Sequence, residues 1–142
     1  MAPTVTYGEV VDVARGHGVL EDEVQRTIEL IDTWFVGDQL KTFEYVAHKL
    51  TGGFYDLTGY TGKLVGRSRD NRANTVDIAC TFNNPPTDGV SIVASLGTIL
   101  VLTPGRKSEL YVCNFKWTRT SDAKLLKSPK FALAIELDPQ TA

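Results

Sequence analysis

Cysteine and histidine are scarce in this chain. Cys80 and Cys113 are the only two thiols, and His17 and His48 the only two imidazoles, in 142 residues. Two widely spaced cysteines supply neither a disulfide framework nor the ligand set of a zinc site. Both lie in apolar runs without an adjacent basic residue to lower their pKa, so they are expected as free core thiols, with a disulfide between sheets as the alternative, and not as nucleophiles. The histidines stand in no Ser/His/Asp or Cys/His spacing and are expected to be structural or surface residues. No stretch approaches the roughly 20 apolar residues needed to cross a bilayer. The opening MAPTVTYGEVVDVARGHG has no basic start followed by an apolar run, so no secretory signal is expected. Net charge is also small. At −2 it gives no general attraction to nucleic acid or to anionic membranes. The expectation is a soluble protein made in a reducing compartment, with no cofactor, no metal and no catalytic constellation.

What is present is enough for a core. The apolar fraction of 42% is that of ordinary globular proteins, and 142 residues suit one domain with a short appendage. In the segment LEDEVQRTIELIDTWF, Val24, Ile28, Ile31 and Phe35 recur at steps of four, three and four. That spacing predicts an amphipathic helix with one apolar stripe. Glu21, Asp22 and Glu23 stand at its expected start, where the helix dipole favours negative charge. Gly16 and Gly18 interrupt any helix begun earlier. Residues 1–36 are therefore read as an N-terminal α-helical segment for packing or oligomerisation, and residues 37–142 as a β-domain.

After Gly37 the pattern changes to short β-rich runs bounded by Gly, Pro, Asn or Asp: QLKTFEYVAHKL, GKLVGRSRD, NTVDIACTF, GVSIVAS, GTILVLTP, SELYVCNFKWTR and KFALAIEL. About seven such runs predict a mainly β fold, an Ig-like antiparallel β-sandwich. Alternation assigns faces. Val76, Ile78, Cys80 and Phe82 share one side, as do Tyr111, Cys113, Phe115 and Trp117, and Phe131, Leu133, Ile135 and Leu137. Burial of one such side chain contributes roughly 1.5–3 kcal/mol. Between Phe54 and Asn71, Asp56 can turn the chain through its carboxylate and Gly59 can take positive φ, while Leu57 and Tyr60 fold back over the end of the domain.

Charge is unevenly distributed. Glu9 to Asp32 holds seven acidic and two basic residues, whereas Lys63 to Lys130 holds eleven basic and five acidic. Such unlike ends either attract another copy or a neighbour, or are merely solvated. Lys63, Arg67 and Arg69 share a strand face. They suit an acidic partner, or an exposed edge kept from aggregating. Gly59, Gly62 and Gly66 do not form a Walker pattern. VVDVARGHGVLEDEVQR has the small and apolar positions of a helix-turn-helix, but its reading helix would present three carboxylates to phosphates.

The stretch VGDQLKTFEYVAHKLTGGFYDLTGYTGKLVGRSRDN resembles the start of a β-sandwich module of tailed-phage virion proteins. It is similar to the N-terminal domain of baseplate upper proteins and tail-fibre attachment proteins. Gly37-Asp38 stands where that family opens its first long strand, and Asp56 to Tyr60 match its Asp-Leu-Thr-Gly-Tyr corner. ASLGTILVLTP, ELYVCNFKWTR with Tyr111, and KFALAIELDP with Phe131 resemble its later strands. The resemblance spans Phe35 to Pro139 and implies a non-enzymatic virion structural protein: a tail, baseplate, neck or fibre-connecting subunit. Its implied partners are other virion proteins and copies of itself in a homo-oligomeric assembly, with no nucleic acid and no membrane. It would be made in the host cytoplasm and located in the virion. Val24, Ile28, Ile31, Phe35, Lys63, Arg67 and Arg69 are the candidate assembly interface. Two other readings stay open: a small carbohydrate- or ligand-binding β-sandwich using Trp117, Tyr55 and Tyr60, and a helix-turn-helix regulator.

Overall fold

A computed structural model describes residues 13–20 and 27–138. These residues form two sheets. The smaller contains β1 (Val13–Leu20), β3 (Thr42–Lys49), β7 (Val90–Ala94) and β6 (Thr81–Phe82), in that spatial order. The larger runs β2 (Leu30–Phe35), β10 (Phe131–Glu136), β8 (Ser108–Arg119), β4 (Tyr60–Ser68), β5 (Thr75–Ala79). The short β9 (Leu125–Lys127) pairs with β8 beyond the end of β10. The fold is mainly β, as expected. It has ten strands among the described residues rather than about seven, and its sheets are mixed rather than antiparallel. β1 lies parallel to β3, and β2 parallel to β10. The chain passes through the other sheet between β1 and β3, and that excursion lets the two run in the same direction.

The expected N-terminal helix is not what the described residues form. Val13–Leu20 and Leu30–Phe35 are strands, and they pair with β3 and β10 of the 37–142 region. Val24 lies outside the described residues. In β2, a register shift between Ala132 and Leu133 of β10 leaves Ile31 as an extra residue between paired Leu30 and Asp32. Ile31 then packs towards Gly16, while Trp34 is fully buried. A bulge has placed inward residues three apart, which reads in sequence like a helical step. The β-branched and aromatic content of LIDTWF favours the strand. Lys41 fixes it: its Nζ donates to Thr33 O at 2.7 Å, pairs with Asp32 at 2.9 Å and lies over the Trp34 ring.

β1 alternates strictly, but with small residues. Ala14, Gly16, Gly18 and Leu20 face in, and Arg15 and His17 face out. A Cβ on Gly18 would overlap the Tyr45 hydroxyl, and one on Gly16 would meet Ile31 Cδ1. The glycines read as helix breaks are thus the room into which β2 and β3 side chains fit.

The inner faces of the sheets meet through aromatic rings. Phe43 and Tyr45 of the smaller sheet touch Phe115 and Phe131 of the larger, with Tyr45 centroids 5.1 Å from both. Trp117 Nε1 donates to Ser91 Oγ at 2.8 Å, a hydrogen bond from one layer to the other. The rows Tyr111–Trp117 and Phe131–Ile135 are buried as the alternation predicts, whereas Leu137 is exposed. Val76 and Cys80 are buried, with Ile78 and Phe82 packed beside them as the chain leaves β5 for β6 in the opposite sheet.

GTILVLTP is not a strand. Leu96–Ile99 is a single helical turn (α1), followed by a loop. Tyr111 explains the loop: its hydroxyl donates to Val101 O at 2.7 Å and accepts from Val101 N at 3.0 Å. A side chain satisfies the backbone groups that a ladder would otherwise need. The corner after β3 forms as expected. Asp56 Oδ1 accepts from Thr58 N at 2.9 Å and Thr58 Oγ1 at 2.6 Å, Gly59 sits at φ +81°, and Leu57 is fully buried. The Thr58 hydrogen bonds hold the Asp56 carboxyl below the usual carboxylate range.

Candidate functional site

The outer face of the larger sheet is the most distinctive surface. Alternation on β4 buries Leu64 and turns Lys63 and Arg67 to solvent, with Arg69 just past the strand end. β4 lies between β8 and β5, so it is a central strand. Protection of an exposed edge therefore does not explain its cations. Register adds what sequence order hides: Lys63 lies directly opposite Lys116 of β8, and Lys116 directly opposite Lys127 of β9. Three ammonium groups stand in one cross-strand row. Four residues along β4, Arg67 faces a shallow groove that Arg69, Arg72 and Lys130 also line.

The described acids on this face reach Lys63, Arg69 and the nearby Arg106. Asp77 lies 3.5 Å from Lys63, and Asp70 lies near Arg69 and Arg106 at 3.6 and 3.5 Å. Like charges directly opposite in a sheet are destabilising, by tenths of a kcal/mol up to about 1. A row of three is a cost to the isolated domain that an anionic partner would relieve.

The other proposed interface residues do not form one seam. Ile31 is half-buried against β1, Phe35 points out at 41% exposure, and Ile28 precedes β2 at 49% exposure. The aromatic trio of the ligand-binding reading is not a groove. Trp117 is fully buried, and Tyr55 and Tyr60 are half-buried against the core. The first helix of a helix-turn-helix is likewise missing, because Val13–Leu20 is β1.

Two groupings were not legible in the sequence. His17 Nδ1 and His48 Nε2 are 3.0 Å apart on adjacent strands, with Phe54 against His48. No group of three His, Cys, Asp or Glu side chains that could hold a metal occurs among the described residues. The second grouping centres on Glu109, which is buried at the start of β8. Its carboxylate accepts from Thr103 N at 2.9 Å and Asn74 Nδ2 at 2.8 Å, and Ser68 also hydrogen-bonds to it. Burial alone would push Glu109 up, but these hydrogen bonds together outweigh it and bring the group down to about 2. The role is structural: it ties the 103 loop to the β4–β5 turn.

The cysteines are free and buried. Burial pushes Cys113 up to about 12 and Cys80 to about 11, the latter despite a hydrogen bond with Ser91. Neither thiol is ionised near neutral pH, so neither is an activated nucleophile. No protein-family model matches the chain, and no curated protein matches it.

Proposed function

We propose that this chain is a non-enzymatic structural subunit of a tailed-phage virion, a β-sandwich block that works by docking to other proteins. The tail, baseplate, neck and fibre connection are its candidate positions, and the outer face of the larger sheet is its docking surface. The observation that carries the docking role is the in-register row Lys63–Lys116–Lys127 on the sheet's outer face, three like charges with one described ion pair, Lys63 with Asp77, among them. The Asp56–Tyr60 corner supports the virion reading: it joins β3 to β4 through the residues on which the family resemblance rests. An antibody to the chain tests the proposal on density-banded, nuclease-treated particles from cells that encode it. The chain should band with the particles at a fixed ratio to the major tail protein. Its absence from particles that are otherwise complete would refute the virion role.

A further inference from the structure

We propose that the cationic outer face of the larger sheet binds the acid-rich stretch around Glu21, Asp22 and Glu23 of a second copy. This rests on the assembly reading above and supplies its partner. Among the described residues, the face's acids Asp70 and Asp77 pair with Lys63, Arg69 and Arg106. Lys116, Lys127, Arg67 and Arg72 line the row and the groove without a carboxylate partner among the described residues.

The complementary charge is in the same chain. Residues 9–32 carry seven acids against two bases, and Glu21, Asp22 and Glu23 are consecutive. Of the described acids in that stretch, Asp32 is already paired with Lys41. The three consecutive carboxylates match in number the three lysines of the row. A reciprocal pair of such contacts closes a two-fold dimer, whereas a single contact per copy propagates from copy to copy.

Nucleic acid is the poorer match. The outward neighbours of the cations on β4 and β8 are Thr61, Val65, Val112, Asn114 and Thr118. No aromatic ring stands among them to stack a base, and the chain as a whole is net negative.

The test is sedimentation velocity on the full chain at about 0.05 M and about 0.5 M salt, a change that shortens the screening length severalfold. One variant carries Lys63→Glu, Lys116→Glu and Lys127→Glu. The other carries Glu21→Lys, Asp22→Lys and Glu23→Lys. Circular dichroism checks folding, and Lys116→Gln with Lys127→Gln serves as a milder version of the first. The wild type should associate at low salt and disperse at high salt. Each variant alone should associate at least about tenfold more weakly, and an equal mixture of the two should regain association, because each then offers the other a complementary surface. If the wild type assembles but the mixture of folded variants does not, the partner assignment is overturned and the assembly reading survives. A wild type that stays monomeric in every condition and is absent from particles overturns both. Salt-dependent capture of a labelled ~20-bp duplex, lost in the lysine variant while self-association persists, would replace the second copy with nucleic acid.

Discussion

Glu109 is where this fold is expected to be sensitive to acid. The group falls from its ordinary value of 4.5 to about 2 in the folded chain, because the hydrogen bonds from Ser68, Thr103 and Asn74 outweigh burial. A folded-state pKa below the unfolded one means that stability is fully present above about 4.5. It is lost as pH falls from there towards 2. At about 1.4 kcal/mol for each pH unit, the contribution is at most about 3 kcal/mol. That is a large share of the 5–15 kcal/mol typical of a whole domain. Glu109→Gln removes it by a different route. Gln keeps one acceptor oxygen but turns its amide N–H donors towards a site built of donors, so a loss of about 1–3 kcal/mol is expected at pH 7. The assay is urea unfolding at pH 7, 5, 4 and 3, read by the fluorescence of the buried Trp34 and Trp117. Other carboxylates titrate in both proteins, and the difference between them isolates Glu109. The wild type should lose its advantage over the variant progressively below pH 4.5. Equal acid slopes in the two proteins would refute the reasoning.

Two further outcomes test the reading of particular elements. Leu57→Ala should lower stability by about 2–5 kcal/mol through an emptied core site, and Gly59→Val should lower it by about 1–2 through a β-branched residue at φ +81°; unchanged urea midpoints in both would remove the corner. Ile31→Asp should unfold or severely weaken the chain, whereas Phe35→Asp should fold as the wild type does. A helix with both residues on one buried stripe would have made the two variants alike.

The strands with hydrophobic inner faces were legible from alternation alone. Tyr111, Cys113, Phe115 and Trp117 occupy the buried side of β8, and Phe131, Leu133 and Ile135 that of β10. β1 escaped because its inner residues are Ala14, Gly16 and Gly18: a strand that leaves space for Tyr45 carries no hydrophobic periodicity. β2 escaped because a bulge at Ile31 imitates a helical step. The 96–103 stretch has β-like composition, but Tyr111 takes the backbone groups at Val101 that a neighbouring strand would need. Lys63 and Arg67 were legible as one face. The alignment of Lys63 with Lys116 was not, because it depends on a register between strands about fifty residues apart in the chain; Lys127 then joins the row through the nearby β8–β9 pairing. The same limit hid the His17–His48 pair, which only the parallel pairing of β1 and β3 brings together.

The claim that the larger sheet's outer face is this protein's working surface is tested most directly by incorporation into particles. The triple variant Lys63→Glu, Lys116→Glu, Lys127→Glu, expressed in place of the wild type, should retain the wild-type circular dichroism spectrum and unfolding midpoint. It should nevertheless be missing from density-banded particles, or depleted at least about tenfold. Incorporation of the folded variant at wild-type levels would contradict the account.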